Sequence, residues 1–242
     1  IVITGGSDGL GKTLAESLSK DNNVIIIATN EEKLKIVAEN NNCEYKVCDV
    51  SNHNEVEKTI AEILEKHNKI DVLINNAGLW IQEELDINDY NRIQDVINVN
   101  LLGVINLSKA VIPSMKQNKD GLIININSQA GINHKAERVV YNASKWGVTG
   151  FSKSLQDEVA KYGIRVTDVM PGMMKTNMFN KMNISKNMDN IEWVIEDTKE
   201  KTDLQLLKIT KETYEKLLET LQELKNYDHM FERLFAKKEH IL

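Results

Sequence analysis

Beyond Gly172 the chain has neither glycine nor proline: all 12 glycines and both prolines of its 242 residues lie at or before that position. Both totals are below the usual shares of roughly 7% and 5%, so a collagen-like repeat and a Gly/Pro-rich disordered chain are excluded. Cysteine is almost absent. Cys43 and Cys48 sit five apart in a predicted strand, point to opposite faces and cannot readily bridge. They are read as core thiols of a reducing, cytoplasmic compartment. There is no basic excess either, since 30 Lys and Arg face 36 Asp and Glu for a net charge of −6. That disfavours non-specific nucleic-acid binding, which needs a basic face. No uninterrupted apolar run approaches the ~20 residues of a membrane span, and none is expected. The sequence opens on Ile1 inside an apolar run, so a few residues are expected to precede it, and no signal peptide is recognised. Lys outnumbers Arg 26 to 4, which is read as codon bias without functional meaning.

What is present fits one large α/β domain: 41% apolar and 27% charged residues over this length can bury a real core. Short β-branched runs at 1–4, 23–28, 43–48, 71–75, 121–127 and 164–170 alternate with helical patterns. The runs are apolar nearly throughout, as a parallel sheet covered on both faces requires. Ile60, Ile63, Leu64 and His67 mark one crossover helix, 89–116 a longer one closing near Pro113, and 139–162 another. The pattern predicts a doubly wound parallel sheet of about seven strands, a Rossmann-type fold. Past Gly172 come Met173, Met174, Met178, Met182 and Met188, a short helix around 190–199 and a possible last strand at 203–209. Amphipathic helices at 211–225 and 228–240 follow. The expected division is therefore a nucleotide-binding and catalytic domain over 1–209, with a substrate lid at about 172–190, and a helical extension over 210–242.

The first strand runs into TGGSDGLGK, where Gly5, Gly9 and Gly11 precede a helical pattern. A pyrophosphate must approach backbone that a side chain would block, and the helix start then offers unpaired N–H groups and a positive dipole end. Strand, glycines and helix in this order point to dinucleotide binding.

Tyr141 and Lys145 in VVYNASKWG are separated by four, on one face of a predicted helix. A neighbouring ammonium favours the phenolate and lowers a tyrosine pKa from about 10, making Tyr141 a candidate general acid/base. The spacing alone is unspecific; position is what argues for chemistry. Thirteen residues upstream, GLIININ ends at Ser128, and DVLINNAG ends at Asn75, Asn76, Ala77 and Gly78. Strand carboxyl ends are where open α/β sheets place ligand chemistry.

Taken in order, TGGSDGLG, NNAG, NVNLLG with Asn100, NSQAG with Ser128, YNASK and PGMMKT resemble the short-chain dehydrogenase/reductase family over residues 1–176. The resemblance implies that Tyr141 is the general acid/base. Lys145 would bind the nicotinamide ribose and depress the Tyr141 pKa, and Ser128 would bond the substrate oxygen. Asn100 would hold a water linking Lys145 to solvent. Cofactor contacts are implied for Gly5, Ser7, Asp8, Gly9, Leu10, Gly11 and Thr29, for Asp49 and Val50 at the adenine, and for Asn76, Ala77 and Gly78 near the ribose. Tyr141 and Lys145 belong to the same set, as do Pro171, Gly172 and Thr176 at the carboxamide. The activity implied is hydride transfer between a nicotinamide cofactor and a carbonyl or secondary alcohol of small to medium size.

An acid about 20 residues past the glycines would select NAD. The second strand ends instead in Ala28, Thr29 and Asn30, with acids first at Glu31 and Glu32. That favours NADP(H) over NAD(H), although Asp8 stands where NADP users often carry a base; Lys12 and Lys33 are the compensating candidates. The Met-rich segment is expected either to close over apolar substrates or simply to pack on the body. Trp80 is placed at the pocket border or in packing, and Trp146 in packing. His134 has no second ligand at metal-binding spacing, so no metal site is expected. Two other readings stay open: a dinucleotide-binding sensor or scaffold with little turnover, and an epimerase or dehydratase on the same scaffold. A homodimer through 89–116 and 139–162 is expected, with a tetramer possible, and no nucleic-acid or membrane partner.

Overall fold

The computed structural model describes residues 1–171. Six strands form one parallel sheet: β1 (Val2–Thr4), β2 (Ile25–Ala28), β3 (Glu44–Val47), β4 (Val72–Asn75), β5 (Gly121–Ile126) and β6 (Ile164–Val169). Their order is β3-β2-β1-β4-β5-β6, so the winding reverses between β1 and β4. Every predicted strand up to residue 170 is found. The seventh, at 203–209, the short helix at 190–199, both amphipathic helices and the Met-rich lid lie outside the described residues.

The central strands β1, β2, β4 and β5 read as nearly continuous apolar runs because both faces are covered, whereas the edge strands β3 (EYKV) and β6 (IRVTDV) carry charged residues. On one face Ile3, Ile26, Ile74 and Ile124 pack with Leu10, Leu14 and Leu18 of α1 (Gly9–Leu18) and Leu34 and Val37 of α2 (Glu31–Asn41). On the other, Val2, Ile27, Leu73 and Ile123 meet α3 (His53–His67), α5 (Gly103–Asn118) and α6 (Val139–Val159). Cys43 packs against the first cluster and Cys48 lies in the second, so the two free thiols are on opposite faces, as their spacing predicts. They flank β3 instead of lying within it. Burial pushes both thiols above their ordinary pKa.

The segment expected as one helix over 89–116 differs in two ways. It comprises α4 (Tyr90–Ile97) and α5, joined by a π-helical turn over Asn98–Leu102 in which Gly103 N–H reaches back to Asn98 O. It also runs through Pro113 to Asn118 instead of closing there. Val111 and Met115 on either side of the proline are fully buried, and that packing holds the last turn despite the missing donor. By length and composition the stretch Tyr90–Asn118 could cross a membrane. Its Val104, Leu107, Val111 and Met115 are, however, buried in the body of the fold.

Candidate active site

The sequence-predicted residues collect along the carboxyl edge of the sheet, at the winding reversal where open α/β folds bind ligands. Thr4 closes β1 and its hydroxyl organises the crevice. It accepts from the backbone N–H of Asn76 and of Ala77, each at 2.9 Å. The Asn76 side chain donates to Thr4 O at 2.8 Å and reaches Gly5 O at 3.5 Å. The loop after β4 thus buttresses the glycine loop.

That buttress leaves no space for side chains. Gly5 has a φ of +67°, and a Cβ there would lie 2.9 Å from Asn76 Nδ2; one on Gly11 would overlap Gly5 O and come within 2.5 Å of the same amide. Gly11 lies in the first turn of α1 beside Leu10, whose own side chain is buried in the core, leaving only its backbone to face a ligand. Asp8 caps the helix by accepting from Gly9 N–H at 2.8 Å and pairs with Lys33 at 2.7 Å. Ser7 is half-buried beside it and Thr29 is exposed past β2. A helix start lined by crowded glycines suits the pyrophosphate of a dinucleotide, so these residues fit the implied cofactor.

Asp49 and Val50 follow β3. Asp49 Oδ1 accepts from Ser51 N–H at 2.9 Å and from Ser51 Oγ at 2.7 Å. Val50 is buried against Gly103, where a Cβ would meet its Cγ2 at 2.8 Å. Gly78 lies against Asn100 Oδ1. Pro171 is buried and its carbonyl accepts from Gln129 N–H at 3.1 Å, which ties it to the Ser128 loop. Gly172 and Thr176 lie outside the described residues.

Asn100, fully buried in the π-helical turn, accepts from Leu79 N–H at 2.7 Å and donates to Leu79 O at 2.9 Å. Its second amide hydrogen goes to Ser144 Oγ at 3.1 Å, and that hydroxyl donates to Tyr141 O at 2.7 Å. Both side-chain donors are spent on structure, which leaves the expected water to the Asn100 backbone. The π-helical turn carries Asn100 to this position, and the NVN sequence did not announce it.

Ser128 stands near enough to Tyr141 for its hydroxyl to favour the phenolate, while its Oγ accepts from Ala130 N–H at 3.1 Å. Tyr141 is 6% exposed, and burial pushes its phenol above the usual value, with the Ser128 hydroxyl and the Arg138 charge pulling the other way. The expected lowering by Lys145 is not what this geometry produces. The Lys145 Nζ lies 5.9 Å from the Tyr141 ring centroid and donates to Ile126 O at 3.0 Å. Burial pulls the Lys145 ammonium down to about 8, opposed by the Asp168 carboxylate.

Sequence reading passed over Thr4, Ser144, Arg138 and Asp168. Thr4 and Ser144 lie within quoted motifs. Asp168 is found only through strand register, which aligns Asn75, Asn125 and Asp168 across β4, β5 and β6. Asn127 and Asn125 donate to its carboxylate at 3.1 and 3.4 Å. Trp80, left open between pocket border and packing, stacks on Tyr141 with centroids 4.3 Å apart. No group of His, Cys, Asp and Glu among the described residues could hold a metal.

The sequence model of the family described as short chain dehydrogenase matches residues 1–187. The chain belongs to the short-chain dehydrogenase family of oxidoreductases. It is 40% identical over 190 residues to a 3-oxoacyl-[acyl-carrier-protein] reductase of Buchnera aphidicola subsp. Baizongia pistaciae, covering 75% of this chain and 76% of that protein. It is 38% identical over 178 residues to carbonyl reductase family member 4 of Xenopus tropicalis, covering 73% and 75%. A metagenomic short-chain oxidoreductase solved in complex with NADP shares 35% identity with a TM-score of 0.68, over 71% of this short-chain dehydrogenase and 81% of that chain. A different family model, described as Oligopeptidase F, matches residues 205–242.

Proposed function

We propose that this short-chain dehydrogenase is a nicotinamide-dependent carbonyl reductase, running also as a secondary-alcohol dehydrogenase. The observation that carries the reading is a buried Tyr141 phenol near the Ser128 hydroxyl, kept protonated by burial. A protonated phenol is a general acid ready for a carbonyl oxygen. Ser128 orients that oxygen by hydrogen bonding. Tyr141 gives it a proton as the neighbouring carbon becomes an alcohol carbon, and in the reverse direction takes the proton back. The nicotinamide supplies and accepts the hydride when bound. Lys145 holds the ribose hydroxyls, and the backbone of Asn100 holds the water through which the proton is replaced.

The cofactor contacts proposed are those of Gly5, Ser7, Asp8, Gly9, Leu10, Gly11 and Thr29, with Asp49 and Val50 at the adenine. Asn76, Ala77, Gly78, Pro171, Gly172 and Thr176 complete the set. NADP(H) is preferred over NAD(H). No acid closes β2, Asn30 is engaged in capping α2 by accepting from Lys33 N–H, and the Lys33 ammonium stands beside the glycine loop at Asp8. Lys12 is turned instead to Glu16. The metagenomic oxidoreductase solved with NADP points the same way.

The two family matches, ending at 187 and beginning at 205, support a boundary ahead of the proposed extension at 210–242. Exposed Tyr90, Leu102, Val139 and Trp146 support a homodimer through α4–α6, in the cytoplasm that two free thiols suit.

The test is absorbance decay of NADPH or NADH with a panel of ketones, including a 3-oxoacyl thioester, and Tyr141→Phe as control. Turnover with NADPH that drops at least about a thousandfold in the variant is expected. Tight cofactor binding without any turnover would indicate a sensor. Turnover undiminished in Tyr141→Phe sinks the mechanism.

A further inference from the structure

A three-membered stack leads away from the proposed acid. The Tyr141 ring lies 4.3 Å from the Trp80 ring, tilted by 55°. The Arg138 guanidinium lies 4.7 Å from the same indole's centroid. The stack is fixed at several points. Arg138 Nε donates to Gln82 Oε1 at 3.1 Å, and Gln82 Nε2 reaches Glu137 Oε2 at 3.4 Å. Glu83 N–H donates to Glu137 O at 2.8 Å, and Arg92 donates to Trp80 O at 3.0 Å. Glu137 itself takes a φ of +64°, a conformation that costs a non-glycine residue energy and that turns the chain into α6. The loop after NNAG and the head of the catalytic helix are thus closed on each other around Trp80.

We propose that Arg138 is a positioning residue for the reaction, clamping the Trp80 indole on the Tyr141 ring and setting a fixed positive charge beside the phenol. The proposal deepens the carbonyl-reductase reading and rests on it for its catalytic meaning. A cation on an indole face is attracted by the ring's quadrupole, more strongly when partly desolvated, and the tilted aromatic pair adds its own attraction. Together they hold the phenol in one orientation toward Ser128. The charge has a second consequence, since it favours the phenolate over the phenol. Arg138 is the cation that pulls the Tyr141 pKa down, against the stronger push of burial.

The other ionisable groups nearby do not do this. Lys145, one turn along α6, turns its ammonium to Ile126 O and faces Asp168 of β6. Glu137 faces Arg138 and favours its charged form, while partial burial opposes it. Arg92 of α4 is engaged with the Trp80 carbonyl, and Ser128 brings a hydroxyl without charge.

The experiment compares the parent, Arg138→Gln and Arg138→Lys. Gln removes the charge, whereas Lys keeps it and loses the planar stack. The α6 cap is made by the Arg138 backbone, which accepts from Asn142 N–H at 2.8 Å, so neither substitution deletes it. Circular dichroism confirms folding. The readout is tyrosinate absorbance on titration, with Tyr141→Phe subtracted to isolate one of the six tyrosines. The Tyr141 midpoint is expected to rise by about half a pH unit in Arg138→Gln, the scale of a partly screened cation, and to return toward the parent in Arg138→Lys. Alcohol oxidation should shift its pH midpoint in the same order. A midpoint unmoved in Arg138→Gln, or moved equally in both variants, overturns the proposal. The titration needs no turnover, so a parent enzyme inactive on every carbonyl would refute the reductase reading while leaving this result to stand by itself.

Discussion

Lys145 Nζ donates at 3.0 Å to the carbonyl of Ile126, the last residue of β5. The ammonium is therefore tied to the strand that delivers Ser128, while the phenol it was expected to govern answers to Arg138 and Ser128. Placing that cation where a ribose can reach it has an energetic cost. Lys145 is 6% exposed, and its pKa falls from 10.5 to about 8 because burial outweighs the attraction of Asp168.

Lys145→Met is expected to lose activity and gain stability at neutral pH. Below pH 8 the lysine is charged in both the folded and the unfolded chain, so its burial penalty of about 3 kcal/mol is present in full. Between about 8 and 10.5 the unfolded chain binds the extra proton, and parent stability rises with pH. The melting temperature of Lys145→Met should thus exceed the parent's at pH 7 and the gap should narrow toward pH 10. A gap that widens with pH contradicts this account.

Asn100→Ala removes three hydrogen bonds of a fully buried amide. Leu79 N–H and O lose their partner, and the link from the π-helical turn to Ser144 and Tyr141 is cut. A loss of about 2–4 kcal/mol in urea unfolding is expected, from unsatisfied backbone groups plus the space left behind. Asn100→Asp keeps the acceptor to Leu79 N–H but loses both donors, and should fall between the two. Equal stability of parent and Asn100→Ala would show that the bonds are made elsewhere.

Two glycines make a matched pair. Gly11→Ala puts a methyl against Gly5 O and Asn76 Nδ2, and forces the glycine loop off Thr4. Gly150, exposed within α6, has nothing within 4 Å of where a Cβ would lie. Gly150→Ala should therefore gain about 0.5–1 kcal/mol from helix propensity. Gly11→Ala should weaken NADPH binding, measured by fluorescence titration, by about tenfold or more. Comparable cofactor affinity in the two variants would remove the glycine loop from the binding site.

The contrast between these glycines shows what was legible in the sequence. TGGSDGLG, NNAG and YNASK are local patterns, and the four central strands β1, β2, β4 and β5 are compact, mostly apolar runs, so both could be read along the chain. Arg138 and Trp80 are 58 residues apart in number, and nothing periodic joins them. Their meeting depends on Glu137 turning the chain and on Gln82 receiving Arg138 Nε. The π-helical turn was equally hidden, because inserting one residue into a helical ladder leaves the apolar spacing around it nearly intact. The direction of the Tyr141 shift was misjudged because spacing shows that a cation is near but not which way it points, nor how much water burial removes.

The proposed preference for NADP(H) rests on Lys33 and Asp8, which pair at 2.7 Å between α2 and the start of α1. A ribose 2′-phosphate placed at the end of β2 would meet no acid from Thr29 or Asn30, and it would share Lys33 with Asp8. Lys33→Ala should therefore weaken NADPH by about tenfold and NADH little, since a charge-assisted contact to phosphate is worth about 1.5–3 kcal/mol. Asp8→Asn should act in the opposite direction. It removes the carboxylate that would repel the phosphate and frees the lysine, while the amide oxygen can still accept from Gly9 N–H in place of Asp8 Oδ1. Dissociation constants for NADPH and NADH, measured on the parent and both variants, decide the matter. If Lys33→Ala weakens both cofactors equally, Lys33 supports the loop without reading the phosphate, and the preference for NADP(H) loses its structural basis.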